Sequence, residues 1–241
     1  MKAILTWHSI DPSGSPISVS PEEFGRQLEW LASGSVQVVE LEQLPELPDD
    51  PSAVALTFDD GFANFATEAA PLLRGHGFPA TLFVVTGRVG ADNRWGDSPD
   101  PGIPVLPLLD WDALGRLQEE GFRLGGHTRT HPRLPTLSSS AIEEELGRSS
   151  EELARQLGRR PTAFAYPYGA VDARTSELAA RWYRLACTTE LRGLGTAEDA
   201  LRLPRLDAWY LRNPRRLAAF GSRRFRAWVC SRRQARRLRS H

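Results

Sequence analysis

Two histidines four residues apart are the strongest chemical signal in the sequence. His127 and His131 lie at a spacing that lets two imidazoles reach one cation from a helical turn or a tight loop. Such a pair can also be a surface coincidence or a hydrogen-bonded pair. Asp60 adds a carboxylate from another part of the chain, which gives two nitrogen ligands and one oxygen ligand and leaves coordination positions open, as catalytic metal centres require. The three residues therefore predict a catalytic metal site.

Asp59 and Asp60 are adjacent carboxylates at the end of an apolar run, residues 54–58. Because neighbouring carboxylates repel each other, both are ionised only if a cation or hydrogen bonds compensate. With Asp60 on the metal, Asp59 would lie within reach of the metal's water as a general base. The alternative is that one or both aspartates cap the helix expected from Phe62 onward.

The order of apolar runs and amphipathic segments predicts the elements that position these residues. Ser20 with Glu23 and Ser140 with Glu143 have the spacing of capping boxes, which mark helix starts. A helix is also expected over 62–76 and a long loop over 88–107. Buried strands are expected near 3–8, 36–41, 54–58, 80–86, 122–126, 162–166, 183–188 and 203–206. Strands that alternate with helices imply a mostly parallel sheet, open or closed into a barrel.

Polar residues follow five of the expected strands. Because active sites of parallel α/β folds assemble at the carboxyl ends of the strands, five such strand ends predict one shared cleft. The residues are His8, the pair Asp59 and Asp60, His127 with His131, Pro167-Tyr168-Gly169, and Asp207.

Three of these segments, in this order, resemble the polysaccharide deacetylase family, carbohydrate esterase family 4. They are Leu-Thr-Phe-Asp-Asp-Gly at 56–61, His-Thr-Arg-Thr-His at 127–131 and Phe-Ala-Tyr-Pro-Tyr-Gly at 164–169, within a resemblance that spans 3–210. The resemblance implies a distorted (β/α) barrel with about seven parallel strands. It also implies removal of acetyl groups from the N-acetylated sugars of a polysaccharide, an oligosaccharide or a lipid-linked glycan precursor, with release of acetate.

Carried over position by position, the resemblance assigns a role to each motif residue. Asp59 matches the catalytic base, Asp60, His127 and His131 match the ligands of a divalent metal, and Tyr168 matches the residue whose backbone N–H stabilises the oxyanion. The metal is usually Zn²⁺, with Co²⁺, Ni²⁺ or Mn²⁺ as alternatives. It would acidify its bound water and polarise the acetamide carbonyl, after which a protonated imidazole must protonate the leaving amine.

The source of that imidazole is where the sequence departs from the common family pattern. Many members have a late Leu-x-His segment, but after Asp207 the only histidine here is His241, at the extreme terminus of a basic segment. Members with an amino-terminal Tyr-His segment suggest another arrangement, and Trp7-His8 is similar to it. We therefore expect His8 to supply the acid, with a simple hydrogen bond from His8 within the sheet as the alternative.

The residues expected to bind substrate are Arg205, Trp209 and Trp95. Many members of the family also have an arginine two residues before Pro-Tyr-Gly that orients the base, and Ala165 occupies that position here. Arg205 is a candidate to replace it. The two tryptophans, like Tyr168, could stack on sugar rings or belong to the core.

The charge is balanced overall but divided unevenly. The 241 residues carry 30 basic and 30 acidic side chains, yet 212–241 contain 11 arginines and no acidic residue, which leaves a net charge of −11 on 1–211. We therefore expect a catalytic domain over 1–211 and a basic tail or helix over 212–241. Its apolar residues could contact an anionic membrane, or a helix could pack on the acidic body, or the tail could be disordered. These apolar residues are Leu217, Phe220, Phe225, Trp228 and Val229.

Composition gives the remaining expectations. No signal peptide or membrane span is evident, so a cytoplasmic enzyme is expected, with peripheral contact at the inner membrane face. Nucleic acid is not expected as a partner because no nucleic-acid module accompanies the basic charge. Cys187 and Cys230 are expected to be reduced thiols in buried or partly buried positions, and the acidic body favours a neutral or amine-bearing glycan. The alternatives are an amidase acting on a small nitrogenous substrate and a glycan-binding module without turnover.

Overall fold

The computed structural model of the chain describes residues 1–48, 52–95 and 101–239. The strands within these ranges are β1 (Lys2–Trp7), β2 (Ser9–Ile10), β3 (Ser18–Val19), β4 (Gln37–Val39), β5 (Ala53–Phe58), β6 (Thr81–Val84), β7 (Arg123–Gly126), β8 (Ala163–Ala165), β9 (Leu185–Cys187) and β10 (Leu206–Asp207). The helices are α1 (Pro21–Ala32), α2 (Ala70–His76), α3 (Trp111–Glu119), α4 (Ser139–Leu157), α5 (Ala173–Ala179), α6 (Pro214–Ala218) and α7 (Arg223–Arg239). His241 and part of the expected loop over 88–107 lie outside the described residues.

The main sheet is parallel throughout and has the strand order β10-β1-β5-β6-β7-β8-β9, with β4 beside the first half of β5. Cys187 of β9 forms an isolated parallel bridge with Leu203, three residues before β10. The segment that carries the last strand therefore contacts both ends of the strand order. The expected curled barrel of seven parallel strands is confirmed.

The register of β1 on β5 decides which polar residues become neighbours. Both strands are buried along their whole length, as expected of strands covered on both faces. Trp7 is paired with Phe58, and their rings stack with centroids 5.1 Å apart. Because the strands are parallel and in register, the next residues, His8 and Asp59, emerge side by side at the carboxyl edge.

The capping box of α1 forms as expected from Ser20 and Glu23, but the start of α4 differs from the prediction. The N-cap is Ser138, whose backbone is extended and whose hydroxyl accepts a hydrogen bond from the Ala141 N–H. The prediction of Ser140 with Glu143 was wrong because Ser138 satisfies the first free N–H groups two residues earlier. Glu143 instead pairs with Arg181.

The expected helix over 62–76 is in fact a π-helical turn, Phe65–Ala69, followed by α2. The Ala70 N–H bonds to the Phe65 carbonyl, five residues back. Pro71 has no N–H to continue an α-helical ladder here, so the wider turn costs little. Asn64 occupies the N-cap position, and neither Asp59 nor Asp60 caps this helix.

The arginine-rich carboxyl-terminal segment packs on the body of the protein through α6 and α7. Leu217, Phe225 and Val229 are at most 5% exposed and belong to the same apolar cluster as β1 and α1, with Phe220 and Trp228 packed against it. Of the alternatives for the basic tail, the described part, 212–239, shows helices packed on the body. The apolar side chains expected to enter a membrane are therefore not available to do so, and contact of the exposed arginines with an anionic surface stays a prediction.

Both cysteines are free thiols. Cys187 is buried as expected, and burial raises the pKa of its thiol to about 12. Cys230 is exposed, so the prediction was wrong for it, because it lies one residue beyond buried Val229 on the outer side of α7. Across the described ranges, no helix combines the length and apolar character needed to cross a bilayer.

Candidate metal centre and active site

The structure brings Asp60, His127 and His131 together at the carboxyl edge of the sheet. Asp60 Oδ1 lies 3.3 Å from His127 Nε2 and 3.4 Å from His131 Nε2, and one donor atom from each residue lies within 4.8 Å of the others. All three side chains are buried. Residues 67 positions apart in sequence thus converge on one point, as the motifs predicted.

The protonation pattern of this cluster suits a cation. His127 Nδ1 lies 2.7 Å from the Ala165 carbonyl, which can only accept, so Nδ1 carries a proton and Nε2 is the ring atom that faces Asp60. Burial lowers the pKa of His131 to about 3, so this imidazole is neutral. Although burial alone would lower the pKa of His127, the adjacent carboxylates raise it. Three electron-pair donors facing one another need either such a proton or a metal ion, and the set fits a divalent metal.

Backbone strain is concentrated at the same place. Within the described residues, the non-glycine positions with positive φ are Asp60 (73°), Thr128 (65°), His131 (64°) and Tyr168 (59°). Each residue belongs to one of the three motifs. Left-handed backbone is costly for residues with a Cβ and persists where the surrounding structure fixes it, typically at functional sites.

The loop that carries both histidines is held by hydrogen bonds that the sequence motifs do not reveal. Glu145 of α4 accepts bonds from the backbone N–H groups of Arg129 and Thr130, both at 2.8 Å, and from the Thr130 hydroxyl at 2.6 Å. The Thr128 hydroxyl accepts from the His131 N–H at 2.9 Å. Gly87 donates to the Arg129 carbonyl at 2.8 Å, and a Cβ on Gly87 would lie 2.6 Å from that oxygen. No spacing rule in the sequence points to Glu145.

Asp59 lies beside the metal cluster and is held by Arg205. The guanidinium donates to both carboxylate oxygens at 2.6 Å, and its other donors bond the Thr188 carbonyl at 2.9 Å and the Thr6 hydroxyl at 3.0 Å. Burial alone would raise the pKa of Asp59, but the charge and hydrogen bonds of Arg205 outweigh it and hold this pKa well below its usual range. Asp59 is therefore an ionised carboxylate whose orientation is fixed by two hydrogen bonds.

Arg205 thus orients Asp59, and that it replaces the arginine that the family pattern places before Pro-Tyr-Gly stays a prediction. Its expected second role, direct substrate contact, does not agree with the structure, because Arg205 is 1% exposed and its guanidinium is engaged by Asp59, Thr188 and Thr6. It lies beneath Asp59 rather than on the rim of the cleft.

His8 faces Asp59 from the neighbouring strand end. Its Nε2 lies 3.8 Å from Asp59 Oδ2, and its side chain is 24% exposed. A second acidic group, Asp207 of β10, lies near His8. Thr6 of β1 pairs with Asp207 across the strands, and the charge of His8 acts on the Asp207 carboxyl. Burial raises the pKa of Asp207. His8 therefore opens to solvent on one side and is flanked by two carboxylates on the other.

These residues line one cavity of about 230 Å³. Trp95 and Tyr168 form part of its wall, with the His131 ring between them at centroid distances of 4.4 Å and 4.7 Å. The complete lining among the described residues is His8, Ile17, Asp59, Asp60, Asn93, Trp95, Ile103, His127, His131, Tyr166, Tyr168 and Thr189.

The Pro-Tyr-Gly segment forms a tight turn at this wall. Tyr168 and Gly169 both have positive φ, 59° and 66°. A Cβ on Gly169 would lie 2.1 Å from the Thr189 hydroxyl, so the turn accepts only glycine there. Tyr168 is 39% exposed at the mouth of the cavity.

Trp209 is not brought into the cavity. Its backbone N–H donates to Asp207 at 2.9 Å, which starts a short 3₁₀ turn, Ala208–Leu211. That turn directs the indole to the Arg212 guanidinium, which lies 4.1 Å from the ring centroid. Among the tryptophans expected to stack on sugars, Trp95 alone lines the cavity.

Comparison with known proteins agrees with the fold and with the family resemblance. The sequence profile of the polysaccharide deacetylase family matches residues 46–183, which is more than half of the chain. The chain therefore belongs to the polysaccharide deacetylase family, and the resemblance found in the three motifs is confirmed.

Individual relatives extend the match beyond the profile. The Streptococcus pyogenes deacetylase PplD, solved in complex with acetate, superposes with a TM-score of 0.73 at 26% identity and covers 85% of this chain and 91% of that one. The Bacillus subtilis protein YxkH is 25% identical over 78% of this chain and 64% of its own length. The Listeria monocytogenes peptidoglycan-N-acetylglucosamine deacetylase PgdA is 27% identical over 73% and 37%. The chain thus spans less than two thirds of these two curated relatives.

Proposed function

We propose that this chain hydrolyses the acetamide of an N-acetylated sugar within a glycan and releases acetate. The observation that carries the proposal is the juxtaposition of the Asp60, His127 and His131 cluster with an ionised carboxylate, Asp59, in one open cavity. Membership of the polysaccharide deacetylase family supports the glycan, and the acetate complex of PplD supports acetate as the released product.

Asp60, His127 and His131 would hold a divalent metal, and two imidazoles with one carboxylate favour Zn²⁺. When bound, such a metal acidifies water and polarises a carbonyl. Three protein ligands would leave coordination positions for a water and for a substrate carbonyl, and the cluster borders the cavity directly.

Asp59 would act as the general base. Arg205 fixes the carboxylate plane through two hydrogen bonds and keeps it ionised, so that it can accept the proton of the attacking water. A base with so low a pKa is intrinsically weak. Its contribution therefore lies in orientation and in stabilising the positive charge that develops beside it.

His8 would donate the proton to the leaving amine from Nε2. This Nε2 lies 3.8 Å from Asp59 Oδ2, and His8 lines the same cavity as the metal cluster. The carboxyl of Asp207 is the second acidic group near His8, since the charge of His8 acts on that group. The Tyr168 backbone N–H, in the turn fixed by Gly169, would stabilise the oxyanion.

The direct experiment measures acetate released from N-acetylglucosamine oligomers by the full chain loaded with zinc. Acetate in stoichiometric relation to new free amines supports the proposal, and the Asp59→Asn variant, which keeps all three metal ligands, should release about a hundredfold less. Release of acyl groups from small non-sugar amides alone would favour the related amidase. Zinc binding with glycan affinity but no release from any substrate would favour a binding module.

A further inference from the structure

A second, larger groove adjoins the catalytic cavity, with a volume of about 670 Å³. Tyr168 and Thr189 line both, so the two spaces meet at the mouth of the active site. A glycan whose acetylated sugar occupies the cavity would extend its neighbouring units across Tyr168 into this groove.

The groove is strongly basic. Four arginines line it, Arg133, Arg202, Arg233 and Arg236, against a single carboxylate, Glu190, which gives the lining a net charge of +3. We call this feature the arginine groove. It lies on a body whose first 211 residues carry a net charge of −11, so local placement rather than overall composition produces the positive field.

Two of these arginines reach the groove because of the register of α7. The inward side of α7 buries Phe225 and Val229, and the same helical stripe continues with Arg233 and Arg236 one turn apart. Arg232, by contrast, points outward and is exposed. The change from apolar to basic along the inward face places guanidinium groups where the helix passes the active site.

The guanidinium groups of the other two arginines, Arg133 and Arg202, are placed to contact a ligand in the groove. The Arg133 guanidinium lies 4.3 Å from the centroid of the Tyr168 ring, directly at the junction of groove and cavity. Neither Arg133 nor Arg202 forms an ion pair with any residue that the structure describes. Glu190 is engaged by Arg192 and Arg233, so it orients Arg233 rather than neutralising the whole groove.

We propose that the arginine groove binds an anionic group, a phosphate or a carboxylate, carried by the glycan next to the N-acetylated sugar. Arginine recognises both groups through paired N–H donors, and a groove of this size accommodates a sugar that bears one. The inference rests on the proposed deacetylation and narrows its substrate to an acidic glycan. It reverses the preference for a neutral glycan that the acidic body suggested, because the charge at the site has the opposite sign.

The test compares acetate release from three oligosaccharides by the zinc-loaded full chain. One is a neutral N-acetylglucosamine tetramer, one alternates N-acetylglucosamine with a carboxylate-bearing sugar, and one links N-acetylglucosamine through phosphodiesters. We expect a KM about tenfold lower for at least one acidic substrate, with the advantage reduced at high salt. Which acidic substrate has the lower KM identifies the anionic group.

Variants connect the preference to the groove. Arg202→Gln and Arg236→Gln should each lower the ratio of kcat/KM for the acidic over the neutral substrate about tenfold, mainly through KM, and Arg202→Lys should restore part of it. Arg232→Gln, on the outer face of α7, is the matched control and should keep the ratio. Thermal melting identifies any variant that fails to fold.

The outcomes separate this inference from the proposed function. Equal kcat/KM for neutral and acidic substrates, or equal losses on both in the variants, overturns the arginine groove and leaves deacetylation intact. If no substrate releases acetate, the proposed function fails. Calorimetric binding of the same oligosaccharides then decides the groove: weaker acidic binding in Arg202→Gln supports it, and unchanged binding overturns it.

Discussion

Arg205 and Asp59, 146 residues apart in sequence, are joined by two hydrogen bonds of 2.6 Å in the interior of the barrel. Both side chains are almost fully buried, at 0% and 3% exposure. A paired, buried charge of this kind is stable only while both partners remain, because removing one leaves the other uncompensated. The pair links the last strand to the centre of the sheet and sets the state of the proposed base.

Replacing Arg205 should impair catalysis most at acidic pH. In Arg205→Met, the burial that Arg205 now outweighs would raise the pKa of Asp59 above its ordinary value, so the base becomes protonated as the pH falls. The acidic limb of the profile of kcat/KM against pH should move to higher pH, and Arg205→Lys should shift it less. The profiles are measured on protein of verified zinc content and melting temperature. A folded Met variant with an unchanged limb would exclude Arg205 as a positioning residue.

The same pair predicts how stability depends on pH. The folded-state pKa of Asp59 is depressed, so its stabilising contribution is fully present above the unfolded-state value of about 3.9 and is lost as the pH falls toward the folded-state value. The free energy of unfolding of the wild type should therefore exceed that of Asp59→Asn at neutral pH, with a gap that narrows below about pH 4. Urea unfolding of both metal-free proteins measures the gap. A difference in the free energy of unfolding between the two proteins that widens as the pH falls would contradict this prediction.

His8→Gln should lower kcat by about a hundredfold or more while the zinc content stays unchanged, since His8 is not one of the three clustered ligands. His76→Gln is the matched control. His76 is exposed, stacks on Phe78 and lies away from the cavity, so this variant should turn over normally. Steady-state kinetics and metal analysis on the same preparations provide both readouts. Normal turnover in His8→Gln would remove His8 from the mechanism.

Glu145→Ala should weaken zinc binding by about tenfold to a hundredfold, although Glu145 is not a ligand. Its carboxylate holds the backbone of the loop between the two histidines, and without it their strained geometry loses support. The neighbouring Glu144 is exposed and pairs only with Arg148 among the described residues, so Glu144→Ala serves as the control. Competition with a chelator of known affinity measures both. Equal affinities in the two variants would show that the loop needs no such support.

Phe225→Ala should destabilise the protein by about 3–5 kcal/mol, as expected for a buried aromatic side chain in a shared core. Leu238→Ala, at a side chain 81% exposed on the same helix, should change stability by no more than about 0.5 kcal/mol. Denaturant unfolding of the full chain compares them. Similar small effects at both positions would mean that α7 is not part of the folded core.

The sequence predicts the site residues that follow the ends of strands, and it does not predict the residues whose role depends on tertiary packing. Asp59, Asp60, His127 and His131 were found because polar residues at the carboxyl ends of parallel strands must converge. Arg205 was expected as a replacement for the missing arginine, but no pattern of spacing could show that it lies beneath Asp59. The packing of Phe225 and the support from Glu145 depend on contacts between distant elements, which the periodicity of the sequence does not reveal.

Four side-chain-bearing residues hold a left-handed backbone around the metal cluster, each at a cost of about 1–3 kcal/mol. Glycine at those positions would relax the chain but would remove a ligand, a loop hydroxyl or a wall of the cavity. Thermal stability and turnover therefore compete at these residues. Selection for stability alone would be expected to replace these four residues by glycine before other positions of the barrel change.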